Sequence, residues 1–191
     1  MPRQARVIVL GFSMISIVYS ARSYAITVPL PRLYSFRRCP YAMRARLGIL
    51  FAGLTVELRE IVLKNKPAQM LAVSPKGTVP VLELAGGGRS ERLVIEESRE
   101  IVEWALRQSD PKGLLNADLV SANALIDRND NEFKHWLDRY KYADRHPELS
   151  QWDYQQKGEV FLQALESLLA KNRNLLGSNI SIADIGIMPF V

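Results

Sequence analysis

The sequence predicts an α/β domain with the element order βαβαββα, followed by an all-helical domain. Between residues 31 and 108, short apolar runs with a period of two alternate with stretches of helical spacing. From residue 116 to the end at 191 the apolar spacing is helical throughout. A stretch containing proline and glycine at 109–115 separates the two patterns, and we predict that it is a linker.

The predicted elements of the first domain follow from local sequence signals. Gly53 marks the end of the first helix, and three glycines at 86–88 form the turn of a hairpin. Ser98 is predicted to cap the last helix. The predicted strands are 33–36, 56–62, 79–84 and 93–95, and the predicted helices are 40–52, 67–71 and 98–108.

The second domain is predicted from helical periodicity at 116–141 and 154–171 and from a capping box near its end. Ser181 and Asp184 have the spacing of such a box, so a further helix is predicted to start there. The sequence stops at Val191, and we expect the apolar face of this helix to lack a covering partner, which makes the helical domain incomplete. That face comprises Ile185, Ile187, Met188 and Phe190.

The charge of the chain is unevenly distributed. It carries 25 Lys and Arg against 20 Asp and Glu, a formal charge of +5, but eight arginines precede the first acidic residue, Glu57. From there on, 17 basic residues meet 20 acidic ones, so the body of the protein is slightly acidic. This distribution argues against a nucleic-acid partner. No apolar run reaches the roughly 18 residues of a membrane-spanning helix, so we expect no membrane association.

Residues 1–30 are predicted to be a leader or an upstream extension and are excluded from the fold prediction. Arg3 and Arg6 precede a mostly apolar stretch at 7–19 and two small-residue patterns, as in a secretory signal. The alternative is that the domain begins near Pro31. We favour the alternative and a cytoplasmic location, because the chemistry inferred below suits a reducing compartment; export stays open.

The chain contains one cysteine, Cys39, and two histidines, His135 and His146. No internal disulfide can form, and the spacing of these three residues matches no zinc pattern, so no metal site is expected. Neither histidine is assigned a role.

Cys39 stands where an activated thiol is expected, directly after the first predicted strand and at the start of the first predicted helix. Pro40 suits the first helical position, and the remaining free amides and the helix dipole stabilise a thiolate at Cys39. Arg37 and Arg38 add positive charge nearby. The structural alternative is a small buried hydrophobe, which this placement disfavours.

Four motifs in order and spacing resemble the glutathione S-transferase superfamily, and the nearest resemblance is to its omega-like, cysteine-type members. The motifs are the segments at 33–42, 64–67 and 77–82 and the pair Glu97-Ser98. The resemblance extends over about 31–191. It implies a thioredoxin-like first domain, glutathione as co-substrate and a homodimer.

The resemblance also implies individual roles. Cys39 is the catalytic residue, and Lys66 binds the glycine carboxylate of glutathione. Val79, before a cis-proline, offers its backbone to the cysteinyl part. Glu97 binds the γ-glutamyl ammonium and Ser98 its carboxylate. In the second domain, Trp136 and Tyr140 fall on a helix that in the family faces the cysteine, so they are candidates for lining the second-substrate pocket, although aromatic residues at this spacing are also typical of a core.

The predicted function is that of a glutathione-dependent thiol transferase or reductase that forms a mixed disulfide between Cys39 and glutathione. Its second substrate is predicted to be a small disulfide or an electrophile. Two alternatives stay open. One is a transferase that conjugates glutathione to apolar electrophiles, and the other is a non-catalytic interaction module on the same fold.

Overall fold

The structure is a computed structural model that describes residues 29–84 and 93–191. The predicted leader, apart from residues 29 and 30, and the predicted glycine turn at 86–88 lie outside the described residues.

Four strands form one mixed sheet: β1 (Arg32–Ser35), β2 (Glu57–Glu60), β3 (Val81–Leu84) and β4 (Leu93–Ile95). Their spatial order is β2-β1-β3-β4, with β1 parallel to β2 and antiparallel to β3, and with β4 antiparallel to β3. The strand predicted at 56–62 is shorter, and three of its four residues are exposed because it lies at the edge of the sheet. The prediction of a half-buried strand was therefore wrong in its extent.

The N-terminal helices are α1 (Pro40–Phe51), α2 (Ala68–Val73) and α3 (Ser98–Gln108). Gly53 follows α1 with a φ of 68°, as its predicted role requires. The predicted cap of α3 was misplaced by one residue. Glu97 occupies the N-cap position, and Ser98 is the first residue of the helix.

The helices α1 and α3 pack on one face of the sheet, and α2 packs on the other. Gly48 lets α1 and α3 approach closely, because a Cβ at this position would lie 2.9 Å from the Cα of Val102. Leu33 and Leu82 of the sheet are fully buried against this helix pair. On the other face, Tyr34 and Val81 pack with Met70 of α2.

The C-terminal half is helical. It contains α4 (Leu119–Arg128), α5 (Lys134–Lys141), α6 (Gln151–Leu169) and α7 (Ile182–Ile187). A π-helical segment, Asn129–Phe133, joins α4 directly to α5. Short 3₁₀ turns occur at Leu114–Asn116, Ala143–Arg145 and Met188–Phe190. The division into two domains with a linker at 109–115 stays a prediction.

The predicted capping box at the start of α7 is confirmed, but the expectation about the apolar face of that helix was wrong. Ser181 donates from its backbone N and its Oγ to Asp184. Ile185 is buried in the core shared with α1 and α3, and Ile187 and Phe190 are buried in the core of the helical half. The chain itself therefore covers this face, with only Met188 exposed.

Within the described residues, no helix is both long and apolar enough to span a membrane.

Candidate functional site

Cys39 occupies the N-cap position of α1, with extended backbone angles of −82° and 120°, and Pro40 is the first helical residue. Its amide donates to the Phe36 carbonyl at 3.0 Å, and its own carbonyl accepts from the Met43 amide at 2.9 Å. The side chain is partly exposed. The thiol therefore stands at the positive end of the helix, where solvent or a ligand reaches it.

The Cys39 Sγ lies 3.7 Å from the carbonyl oxygen of Val79. The Val79–Pro80 peptide bond is cis, as the family resemblance implies. Pro80 is buried and Val79 partly buried, directly before β3. Two chain segments separated by forty residues thus meet at the sulfur.

The loop that carries Cys39 is held from both sides by side chains that the sequence analysis did not single out. Arg46 of α1 donates to the Ser35 Oγ at 2.5 Å and to the Arg37 carbonyl at 3.0 Å. On the other side, the Arg37 amide donates to a Glu60 carboxylate oxygen at 2.6 Å. These contacts fix the position of Cys39 relative to the sheet.

The two arginines before Cys39 are exposed. The guanidinium of Arg38 lies 5.6 Å from the centre of the Phe36 ring. Among the described residues, no carboxylate forms an ion pair with the guanidinium of Arg37 or Arg38. Both side chains thus add positive charge to the segment directly before Cys39.

Glu97 and Ser98 lie together at the N-terminus of α3 but differ in exposure. Glu97 is exposed and forms an ion pair with Lys76, and this hydrogen bond raises the pKa of Lys76. Ser98 is buried, and its Oγ accepts a hydrogen bond from Arg44 at 3.3 Å. Glu97 thus presents its carboxylate to solvent, whereas the Ser98 hydroxyl is held by its hydrogen bond with Arg44.

Lys66 is partly buried on the segment before α2. Gly77 has no Cβ, but a Cβ built at that position would lie 3.5 Å from the Lys66 Nζ. Lys66 therefore lies beside the segment that leads to Val79. In the part of the chain that the structure describes, no ion pair involves Lys66.

Arg44 was missed by the sequence analysis, although it is almost completely buried and contacts both halves of the chain. A charged residue in a helix normally indicates a solvent-facing position. The signal that could have found it is its spacing, since Arg44 lies one turn before Gly48 and beside Ala45, on the buried face of α1.

The two candidates for the second-substrate pocket make their contacts with α6. The Trp136 ring stacks on Tyr154, with centroids 6.4 Å apart, and Lys157 Nζ lies 5.0 Å from its centre. The Tyr140 carbonyl accepts from Gln151 Nε2 at 3.1 Å. That Trp136 and Tyr140 line a pocket stays a prediction.

Lys134, on the same helix α5, faces α1 instead. Its Nζ lies 5.8 Å from the centre of the Tyr41 ring, one residue beyond Pro40, and it forms an ion pair with Asp138. Burial, and then the charge of Asp130, raise the pKa of Tyr41. Lys134 and Tyr41 thus bring the helical half close to the first turn of α1.

His135 interacts with an arginine on the same helix, α5. His135 Nδ1 is 3.0 Å from an Arg139 nitrogen, and desolvation followed by that positive charge lowers the pKa of His135. Between residues 29 and 84 and between 93 and 191, no three His, Cys, Asp or Glu side chains are grouped so that they could hold a metal ion.

Comparison with known proteins agrees with this geometry. Residues 33–113 match the family model of the glutathione S-transferase N-terminal domain. A probable glutathione transferase of Aplysia californica is 38% identical over 90 residues, which cover 47% of this chain and 92% of that protein. The chain belongs to the glutathione transferase superfamily.

Within this superfamily the chain is omega-like. Glutathione S-transferase omega-1 of Sus scrofa is 28% identical over 165 residues, which cover 84% of this chain but 66% of that enzyme. The crystal structure of glutathione transferase Omega 2C from Trametes versicolor superposes with a TM-score of 0.70 at 25% identity, covering 85% of this chain and 70% of the other. The fold is accordingly that of glutathione transferases, with a thioredoxin-like N-terminal sheet and a mostly helical C-terminal half.

Proposed function

We propose that this glutathione transferase is a glutathione-dependent thiol transferase or reductase whose single cysteine, Cys39, forms a mixed disulfide with glutathione. The observation that carries this proposal is the position of its sulfur. Cys39 Sγ lies at the N-terminus of α1, partly exposed and 3.7 Å from the carbonyl of Val79. A thiolate at such a position is stabilised and reachable.

Glutathione would bind along the segment that leads into β3. The backbone of Val79 pairs with the cysteinyl part in the manner of an added strand, which brings the glutathione sulfur to Cys39. Ser98 holds the γ-glutamyl carboxylate, and Lys66 holds the glycine carboxylate. Glu97 binds the ammonium group, and its ion pair with Lys76 breaks when this contact forms. Exposed ion pairs contribute little to stability, so breaking this pair costs little free energy.

The reaction needs one protein thiol. The Cys39 thiolate attacks the glutathione sulfur of a mixed disulfide, the bond between Cys39 and glutathione forms, and the substrate leaves as a thiolate that takes up a proton. A second glutathione, as its thiolate, then attacks the glutathione sulfur of the adduct. This step releases glutathione disulfide and restores the Cys39 thiolate, so one free glutathione is oxidised for each mixed disulfide reduced.

Burial of the neighbouring hydroxyl groups favours this chemistry over simple conjugation. A conjugating transferase activates the glutathione thiol with a tyrosine or serine hydroxyl. Tyr34 is 2% exposed within the core around α2, and Ser35 is fully buried with its Oγ bonded to Arg46. Both residues are buried, whereas Cys39 is partly exposed, so Cys39 is the better candidate.

The remaining features of the proposal concern partners and location. The second substrate would be a small disulfide, a dehydroascorbate-like oxidant or an activated aryl thioether, with Trp136 and Tyr140 as candidate lining residues. We propose a homodimer, which light scattering of the purified protein would test. We propose a cytoplasmic location, because glutathione is kept reduced there.

The central test is the intact mass of the protein after incubation with glutathione disulfide. We expect wild type to gain one glutathione and the Cys39→Ser variant to gain none. As a matched control, Ser167→Cys in the Cys39→Ser background places an ordinary exposed thiol on α6. Cys39 should react at least about tenfold faster than this control, because the proposed binding site holds the disulfide beside the Cys39 sulfur, whereas a surface thiol has no such site.

Activity measurements separate the alternatives. Loss of hydroxyethyl disulfide reduction in Cys39→Ala would support the thiol-transferase function. Retained conjugation of a haloarene in the same variant, at the wild-type rate, would instead favour a conjugating transferase. A folded wild-type protein that forms no adduct and shows neither activity would favour the interaction module.

A further inference from the structure

Arg44 is the most deeply buried charged residue of the described chain, with 1% of its surface exposed. It lies on α1, five residues after Cys39. An arginine in such a position is stable only if its donors are satisfied, because an unpaired buried charge is strongly destabilising. Its hydrogen bonds should therefore show what it holds in place.

Three separate elements supply the partners of Arg44. Its Nε donates to the Gly186 carbonyl of α7 at 2.7 Å. Its two terminal nitrogens bind both oxygens of Asp130 in the π-helical segment, at 2.8 and 2.5 Å. One of these nitrogens also donates to the Ser98 Oγ of α3 at 3.3 Å. The guanidinium thus joins the N-terminus of α3 to two elements of the helical half.

The surroundings of this network restrict its movement. Asn129 is fully buried and donates from its Nδ2 to Asp130 at 2.8 Å. The Phe190 ring lies 4.5 Å from the Arg44 guanidinium carbon, and the Tyr41 ring lies 5.7 Å from it. Aromatic rings on the guanidinium and a carboxylate held by a neighbouring amide leave the arginine one favourable position.

This position determines the direction of the Ser98 hydroxyl. A serine hydroxyl has one donor and two acceptor sites, whereas a guanidinium only donates. Ser98 Oγ must therefore accept from Arg44, and its hydrogen remains available for an acceptor on another side. Within the described residues, Arg44 is the one hydrogen-bond partner of Ser98 Oγ.

We propose that Arg44 is a positioning residue for glutathione binding. It orients the Ser98 hydroxyl to donate to the γ-glutamyl carboxylate and couples that binding site to Asp130 and Gly186 in the helical half. Arg44 need not touch glutathione, because it acts through Ser98. The inference rests on the proposed function, in which Ser98 binds that carboxylate.

A double-mutant cycle tests this coupling. The dissociation constant of glutathione is measured by calorimetry for wild type, Arg44→Lys, Ser98→Ala and the double variant. Lysine keeps the charge but cannot form the two-pronged contact with Asp130. We expect Arg44→Lys to raise the dissociation constant about fivefold with Ser98 present and less than about 1.5-fold in the Ser98→Ala background, as for residues in one network.

Steady-state kinetics adds a readout that a purely structural role would not move. Arg44→Lys should raise KM for glutathione by the same factor and leave kcat at saturating glutathione within about twofold, since lost ground-state binding acts on KM. Arg128→Lys is the matched control. Arg128, at the end of α4, forms the ion pair with Glu132 and stands over the Phe161 ring without contacting Ser98. This control should leave the dissociation constant unchanged.

Asp130→Asn repeats the cycle if Arg44→Lys does not fold, because asparagine keeps the shape of the side chain and one acceptor oxygen while it removes the charge that pairs with Arg44. An equal increase in the dissociation constant with and without Ser98 would overturn the inference while leaving the proposed function intact. Wild-type protein that is folded but binds no glutathione would overturn both.

Discussion

Two helices of the C-terminal half begin with the same capping box but in different surroundings. At α6, Ser150 donates to Asp153 from its backbone N at 3.2 Å and from its Oγ at 2.6 Å. At α7, Ser181 donates to Asp184 from the same two atoms, at 2.8 and 2.6 Å. The Ser150 box is exposed to solvent, whereas Ser181 is 1% exposed.

The buried box also has a second task. The other oxygen of Asp184 accepts from the backbone N of Leu175 at 2.9 Å, so this carboxylate also holds the segment before α7. With six residues, α7 is too short to form by itself, whereas α6 has 19. We therefore expect the buried box at α7 to stabilise the fold more than the exposed box at α6.

The largest effect is expected for Asp184→Ala. The substitution leaves the amides of Ser181 and Leu175 without an acceptor in a buried setting, and each such group costs about 1 to 3 kcal/mol. We expect the free energy of unfolding in urea to fall by about 2 to 4 kcal/mol. Asp153→Ala is the matched control and should cause a clearly smaller loss. Equal losses in the two variants would contradict the comparison.

A smaller effect is expected for the two serines. Ser181→Ala should lower the free energy of unfolding by about 1 to 2 kcal/mol, in the upper range for lost caps. Ser150→Ala should lower it less, because water can replace the hydroxyl at the exposed box. Urea titrations of both variants measure the difference, and a larger loss for Ser150→Ala would show that exposure is not the deciding factor.

The smallest effect is expected from acid at the exposed box. Hydrogen bonds from the Ser150 side chain and backbone hold the pKa of Asp153 below its ordinary value. The Asp153 carboxylate therefore contributes its full stabilisation when the pH is above the unfolded-state pKa of about 3.9. This stabilisation is lost as the pH falls through the lower pKa of the folded state. We expect the stability difference between wild type and Asp153→Asn to shrink below about pH 4. A difference that stays constant down to pH 2 would contradict this expectation.

Local signals predicted most of the fold. The end of α3 agrees with the prediction, its N-cap lies one residue before the predicted one, and α1 ends one residue before the predicted end. Both helices have sharp terminal signals, such as Pro40 and Gly53. Cys39 lies at the start of α1, as its motif predicted, and Glu97 and Ser98 lie at the start of α3. That these residues bind glutathione stays a prediction.

What the sequence could not predict depends on contacts between distant residues. Arg44 binds Asp130, 86 residues further on, and no local pattern indicates that an arginine has such a partner. The π-helical segment Asn129–Phe133 changes the hydrogen-bond spacing and thereby the faces of the helix that follows. Regular helical spacing therefore gives no reliable direction for the Trp136 ring, which stacks on Tyr154 of α6.

The close approach at Gly48 has a consequence for motion. Because α1 and α3 pack so closely there, we expect the two helices to move together. Cys39 at the start of one helix and Ser98 at the start of the other thus belong to one rigid unit. The backbone amides around Gly48 and Val102 should be among the slowest of the protein to exchange with deuterium, and any closure around a substrate must come from other segments.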